Sequence, residues 1–139
     1  MQITIKNRLS DIALVQTAFK QFANVRGIPP RDVMKINLII DELISDIISY
    51  AYQDDGEHDI EIKLGLTDER LSMVITDDGV PFDPSAKVSP DIASPLEARP
   101  LGGLGIHLVQ KIADDLSYQR RAGRNVVTVV KRVNALDRN

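Results

Sequence analysis

The sequence contains no cysteine and no long hydrophobic run. Without thiols the chain can form neither disulfides nor thiolate metal sites. No apolar stretch approaches the roughly 20 residues needed to cross a membrane, and the segment 1–6 is too polar for a signal peptide. The formal net charge of −3 gives no electrostatic reason to expect nucleic acid or an anionic membrane as a partner. We therefore expect a cytoplasmic protein.

The 139 residues suffice for one compact domain with its own core, so we expect a single domain over 1–139. Alternating apolar residues predict strands, and apolar residues three and four apart predict helices. The strands are expected at 2–6, 58–66, 71–77, 116–121 and 125–132. The first helix is expected from about 11 until Gly27 ends it, the second from about 30 to about 52, and the third from about 104 to 115. The buried stripe of the third helix is expected to be Leu104, Leu108, Val109, Ile112 and Ala113. Because the last four strands form two hairpins, we expect an α+β fold: a two-layer sandwich whose mixed, mostly antiparallel sheet carries helices on one face.

The helix expected over 36–52 carries two acidic residues on its largely apolar surface. Glu42 and Asp46 lie one turn apart, and like charges at that spacing destabilise a helix by roughly 0.2–0.5 kcal/mol. A solvated face would explain the pair. A cation between the carboxylates would also remove the repulsion, and Mg²⁺ prefers such oxygen ligands together with substrate phosphates.

Two further motifs have features of nucleotide sites. Asp77 has the parity of the apolar face of its strand, so it points inward and can accept a hydrogen bond from an exocyclic amino group such as that of adenine. Gly79 lets the backbone approach a flat ligand. Gly102-Gly103-Leu104-Gly105 opens a helix, where backbone N–H groups and the helix dipole favour phosphate. Each motif alone also fits a plain turn, but the three together predict a Mg-nucleotide site.

The segment 82–101 contains four prolines and no periodicity. A long loop of this kind inside a compact domain is usually functional or disordered, and we interpret it as a lid over the nucleotide. Arg99 in this lid could reach a γ-phosphate, although a lone loop arginine is usually solvated. The chain has no Gly-x-x-x-x-Gly-Lys-Ser/Thr, which excludes a P-loop, and its glycines lack the dinucleotide-binding spacing.

Taken in order, these motifs resemble those of the GHKL ATPases, which share the Bergerat fold. The segment Glu42-Leu-Ile-Ser-Asp46-Ile-Ile-Ser-Tyr50-Ala-Tyr resembles their N box. Asp77-Asp-Gly-Val-Pro-Phe-Asp-Pro84 resembles their G1 box, and Gly102-Gly-Leu-Gly-Ile-His-Leu-Val109 resembles their G2 box. Within this family the chain looks most like the anti-sigma-factor serine/threonine kinases.

The resemblance implies a role for each matching position. Glu42 would be the general base, Asp46 would hold Mg²⁺, and Asp77 would accept from the adenine amino group, with Gly79 beside the ring. ATP phosphates would lie against the backbone of the G2 box, formed by Gly102, Gly103, Leu104, Gly105 and Ile106.

Three positions depart from the family pattern. Asp46 stands where the family has Asn, Tyr50 replaces the usual His, and Pro81 replaces a glycine of the wider superfamily.

The leading hypothesis is an ATP-dependent protein serine/threonine kinase that phosphorylates an anti-sigma-factor antagonist. Members of that subfamily also bind a sigma factor, and a homodimer stays open. The alternative is a non-catalytic, nucleotide-binding module that sequesters its partner, which the additional charge at Asp46 keeps open.

Two basic or titratable features have a plainer interpretation. His107 has the same helical phase as Lys111 and Asp114, so we expect it to be solvated. The arginines 120, 121 and 124 lie around a hairpin tip, for which a wet turn is the first interpretation and partner binding the second.

Overall fold

The computed structural model describes residues 1–85 and 103–134. Within these ranges the chain forms five strands and three α-helices, in the order expected from the sequence. The strands are β1 (Gln2–Lys6), β2 (Asp59–Thr67), β3 (Arg70–Asp77), β4 (Asp115–Arg121) and β5 (Arg124–Arg132), and the helices are α1 (Ile12–Arg26), α2 (Pro30–Tyr50) and α3 (Gly103–Ile112). No helix in the described part of the chain has the length and apolar character needed to cross a membrane.

The five strands form one sheet in the order β1-β2-β3-β5-β4, and all four pairings are antiparallel. Two of the pairings are hairpins whose tight turns have positive φ, at Asp68 and Glu69 and at Ala122 and Gly123. Such turns match the twist of the flanking strands. The predicted α+β class is confirmed. The order also places β5 beside β3, so that Asn125 lies opposite Asp77.

One face of the sheet is apolar and the other is largely polar, as the alternation in β2 and β3 predicts. The helices cover the apolar face, and α2 contributes the largest apolar stripe: Ile36, Ile39, Ile40, Leu43, Ile44 and Ile47. Full burial of each such side chain is worth roughly 1.5–3 kcal/mol. This stripe anchors α2 on the sheet and leaves Glu42 and Asp46 on a neighbouring, half-buried face.

The link between α1 and α2 is set by one glycine and two prolines. Gly27 adopts a left-handed conformation with φ of 70°, which ends α1 at the predicted point. Pro30 then occupies the first turn of α2, where its missing N–H costs nothing.

Helix α3 differs from the sequence expectation in phase and length. The buried side chains are Ile106 and Val109, whereas Leu108, expected in the buried stripe, is 37% exposed. The helix ends at Ile112, about three residues before the expected end. The prediction was wrong on Leu108 because several apolar residues in a short helix allow more than one phase.

Candidate functional site

A cleft of about 720 Å³, measured out to open solvent, lies where the C-terminal half of α2, the ends of β3 and β5, and the start of α3 meet. The lining is mainly apolar with three polar side chains, those of Asp46, Asp77 and Asn125. Tyr50 and Phe82 stand at the mouth, 48% and 38% exposed. A mainly apolar wall with few polar groups suits a flat aromatic ligand.

Asp77 occupies the last position of β3, and its side chain is buried, as the parity of the strand predicts. The residue is 3% exposed, whereas the adjacent Asp78 is exposed. Its Oδ1 accepts hydrogen bonds from the backbone N–H of Gly79 at 2.8 Å and from Asn125 Nδ2 at 3.0 Å. Burial raises the pKa of Asp77, and these two hydrogen bonds oppose that rise. The carboxylate is therefore held in place within an apolar wall.

Gly79 approaches the end of α2 too closely for any side chain. A Cβ at this position would lie 2.5 Å from the Ala51 Cβ and 2.6 Å from the Ala51 carbonyl oxygen. The next residue, Val80, donates its N–H to that same carbonyl at 2.8 Å. The structure thus gives this glycine a packing role that the sequence did not reveal, and contact with a flat ligand stays a prediction.

Of the acid pair on α2, Asp46 lines the cleft, and Glu42 lies one turn earlier, against α3. Asp46 Oδ2 is buried and has no hydrogen-bond partner among the described residues. Burial, and secondarily the charge of Glu42, raise the pKa of Asp46 to about 6. In the described part of the chain no three His, Cys, Asp or Glu side chains form a metal-binding group. The unpartnered oxygen fits Mg²⁺, which commonly takes one or two carboxylates and completes its shell with phosphates and water.

Glu42 lies against the first turn of α3. A Cβ on Gly105 would overlap Glu42 Oε2 and would lie 3.0 Å from Cδ. Gly103 and Gly105 belong to α3 itself rather than preceding it. The N box and the G2 box are thus in contact, as a base and a phosphate site acting on one group require.

The remaining predicted positions are only partly described. Ile106 is buried and lines the cleft. Leu104 lies in α3, but its side chain is outside the described part of the structure, as are Gly102, Arg99 and most of the predicted lid. The described start of the lid, residues 82–85, runs along the cleft, and Pro84 O accepts a hydrogen bond from Gln110 Nε2 at 2.8 Å.

The sequence interpretation missed Asn125. This residue is 2% exposed and its amide contacts Asp77, the predicted base-binding residue. The sequence contained one signal: Asn125 has the same strand parity as the buried Val127 and Val129, which predicts that its polar side chain faces the core.

An antiparallel sheet covered by helices, with a buried carboxylate at a strand end and glycines in the first turn of a helix, is the arrangement expected of a nucleotide-binding ATPase domain. Two solved structures share the fold, both from the blue-light activated histidine kinase EL346 of Erythrobacter litoralis. The first has a TM-score of 0.53 and 18% identity over 76% of this chain and 32% of that protein chain. The second, of the kinase domain, has a TM-score of 0.54 and 15% identity over 90% and 60%.

A family model described as a histidine kinase-like ATPase domain matches residues 5–131. The chain belongs to this family, which confirms the assignment made from the three boxes. Among curated proteins, the serine-protein kinase RsbW of Bacillus cereus strain AH187 is 31% identical over 91% of this chain and 81% of its own length. The serine-protein kinase RsbW of Bacillus anthracis strain CDC 684 matches with the same identity and coverage.

Proposed function

We propose that this protein is an ATP-dependent protein serine/threonine kinase that phosphorylates an antagonist protein and acts as an anti-sigma regulatory factor. Membership in an ATPase family and 31% identity to proteins named serine-protein kinases support this function. The observation that carries it is the contact between Glu42 and the first turn of α3, which brings an acidic side chain to the predicted phosphate site.

The cleft divides into two functional ends. At one end, Asp77 accepts a hydrogen bond from the amino group of adenine, and the apolar wall between α2 and β5 covers the base. At the other end, the backbone N–H groups at the start of α3, from Gly103 to Ile106, bind the phosphates, where the helix dipole adds to the attraction. ATP then spans the cleft with its γ-phosphate near Glu42.

Glu42 is the general base in this proposal. It orients the attacking serine or threonine hydroxyl and accepts its proton as the hydroxyl oxygen bonds to the γ-phosphorus. The bond from that phosphorus to the β,γ-bridging oxygen breaks in the same step, and ADP leaves. The backbone of α3 holds the transferred group in line. Asp46 would hold Mg²⁺ together with phosphate oxygens, and this ion supplies charge neutralisation during transfer.

The proposed partner is an antagonist protein of the anti-sigma-factor-antagonist type, with a sigma factor as a second partner. The experiment incubates the protein with γ-labelled ATP and each antagonist-type protein of its own genome. Phosphoserine or phosphothreonine on one of them is the expected result. Label on none of them, with ATP bound, would contradict the kinase assignment.

One observation favours a second candidate, a nucleotide-binding module that sequesters its partner without phosphorylating it. The family's Asn is replaced by Asp46, whose charge repels Glu42 and the phosphates. The same assay with Asp46→Asn separates the candidates, because it restores the family residue and removes one charge. A kinase slowed by Asp46 gains turnover in this variant, whereas a sequestering module shows no transfer in either form.

A further inference from the structure

The Asn125 side chain connects five groups beside the base-binding end of the cleft. Its Nδ2 donates to Asp77 Oδ1 at 3.0 Å and to the Val80 carbonyl at 2.8 Å. Its Oδ1 accepts from Tyr118 Oη at 2.5 Å, from Arg120 Nη1 at 3.0 Å and from the Phe82 N–H at 3.4 Å. The amide therefore links β5 to β3, to β4 and to the chain that leaves β3.

The pattern of partners fixes the orientation of this amide. Both groups near Nδ2 are acceptors, and two of the three groups near Oδ1 can only donate, so a flipped amide would lose four of the five contacts and keep only that to the Tyr118 hydroxyl, which can also accept. Because Asn125 is 2% exposed, water cannot replace the lost partners. A network satisfied in this way is rigid and transmits the position of one member to the next.

Arg120 extends the network to the turn after Asp77. A single nitrogen, Nη1, donates to Asn125 Oδ1 at 3.0 Å and to the Gly79 carbonyl at 2.8 Å. The residue itself lies in the exposed part of β4, so its side chain reaches from the surface over the turn. Its positive charge also favours the ionised form of Asp77, whose pKa burial raises.

The two oxygens of Asp77 have different surroundings. Gly79 N and Asn125 Nδ2 both donate to Oδ1. Within residues 1–85 and 103–134, no donor is recorded on Oδ2. The carboxylate is thus held by one oxygen, and the other is available to a ligand in the cleft that Asp77 lines.

We propose that Asn125 and Arg120 are positioning residues for base recognition: they hold Asp77 so that its second oxygen selects a purine with an exocyclic amino group. This inference rests on the proposed function, since it assumes that Asp77 binds the base of ATP. The recorded hydrogen bonds of both side chains go to other protein groups, although Asn125 also lines the cleft. Both residues act through the carboxylate and through the backbone of residues 79–82.

The test compares the affinities of ATP and ITP, because ITP carries a carbonyl in place of the amino group and an N1–H in place of the N1 acceptor, with the rest of the nucleotide unchanged. Calorimetric titrations are made with the wild type, Asp77→Asn, Asn125→Ala, Arg120→Ala and Arg121→Ala. Arg121 is the matched control: it is the next residue in β4, and its recorded side-chain hydrogen bond goes to Gln119 at 2.8 Å. We expect the wild type and Arg121→Ala to prefer ATP by about tenfold or more.

In Asn125→Ala and Arg120→Ala we expect the ATP-to-ITP ratio to fall at least about threefold, chiefly through weaker ATP binding. A purely structural role would weaken both nucleotides equally, and an unchanged ratio in both variants would overturn the inference. Should Asn125→Ala fail to fold, Arg120→Ala decides alone, because its side chain starts from the surface. A wild type without preference for ATP would instead overturn the adenine assignment of Asp77, and this inference with it.

Discussion

The acidic side chains at the two ends of the cleft differ in how many hydrogen-bond donors the protein provides for them. At the base end, the chain itself supplies donors to Asp77 from Gly79 and Asn125. At the phosphate end, Asp46 has a buried oxygen without a partner among the described residues, and Glu42 adds a like charge. A carboxylate that the protein holds by one oxygen can recognise a ligand with the other through a hydrogen bond. An unsatisfied pair stores electrostatic free energy that a cation or a proton releases. In the proposed site, the base end is therefore organised before the ligand arrives, and the phosphate end is completed by the ligand.

The largest effect is expected at Glu42. Glu42→Gln keeps the shape of the side chain but cannot accept the proton of the attacking hydroxyl, so phosphate transfer should fall by roughly 100-fold or more. ATP affinity should change little, because the base acts on the nucleophile. Transfer is measured with labelled ATP and the cognate antagonist, and affinity by calorimetry. Asp41→Asn is the control, since Asp41 is the exposed neighbour on α2. Full activity of Glu42→Gln would show that Glu42 is not the general base.

At the base end, Asp77→Asn should weaken ATP binding by about tenfold. The amide keeps the volume of the carboxylate but presents a weaker, uncharged acceptor, and its NH₂ group conflicts with the donors around Oδ1. Calorimetric titration with ATP measures the loss, and circular dichroism checks that the fold is retained. Asp78→Asn changes the adjacent, exposed carboxylate and should leave the affinity near the wild-type value. Equal affinities for Asp77→Asn and wild type would contradict the assignment.

The repulsion at the phosphate end should appear in stability without any nucleotide. Because the folded-state pKa of Asp46 is about 6, against 3.8 for the free side chain, the folded protein binds this proton more tightly. The contribution of protonated Asp46 to the free energy of unfolding is therefore lost as the pH rises from about 4 through 6. Asp46→Asn should raise the free energy of unfolding by about 1–2 kcal/mol above pH 6, after allowance for solvent screening. Urea unfolding in EDTA measures it, and a gain that does not shrink toward pH 4 would contradict this cause.

The smallest effect is expected at His58, which contacts the carboxylate next to Asp77 in the chain. His58 lies between two carboxylates, with Nε2 at 2.8 Å from Asp54 Oδ1 and Nδ1 at 3.1 Å from Asp78 Oδ1, and it stacks on Tyr52 with ring centroids 4.3 Å apart. The hydrogen bond to Asp54 is the main cause of the raised pKa of His58. The stabilisation is therefore fully present below the ordinary pKa of 6.5 and is lost as the pH rises through the raised value. His58→Gln should be slightly less stable than the wild type at pH 6 and equally stable at pH 9. A difference in stability between His58→Gln and the wild type that stays constant from pH 6 to pH 9 would exclude a charged pair between His58 and Asp54.

The sequence predicted those parts of the fold and the site that depend on local pattern. Strand parity placed Asp77 inside and Asp78 outside, and the stripe of α2 fixed which face carries Glu42 and Asp46. The hairpins followed from alternation interrupted by turns. These features repeat every two to four residues, so a single segment contains enough information to identify them.

The parts that the sequence did not reveal depend on contacts between distant segments. Asn125 meets Asp77 across 48 residues, because β5 pairs with β3, and the hairpins alone do not determine which strands become neighbours. Arg120, interpreted first as part of a wet turn, forms hydrogen bonds with Gly79 and Asn125 for the same reason. The phase of α3 was also ambiguous, since a helix of ten residues rich in apolar side chains can bury more than one face.

The close approach of Gly79 to Ala51 also constrains which sequences this fold accepts. Any Cβ at position 79 meets not only the Ala51 methyl group but also its carbonyl oxygen at 2.6 Å, and every amino acid carries that oxygen. A second substitution at position 51 therefore cannot restore a variant at position 79, and no compensating pair exists at this crossing. Selection on folding alone would keep the glycine of the Asp-Asp-Gly motif, even in a descendant that had stopped binding nucleotide. Retention of this glycine is thus evidence of common architecture, whereas retained activity has to be judged from Asp77 and Glu42.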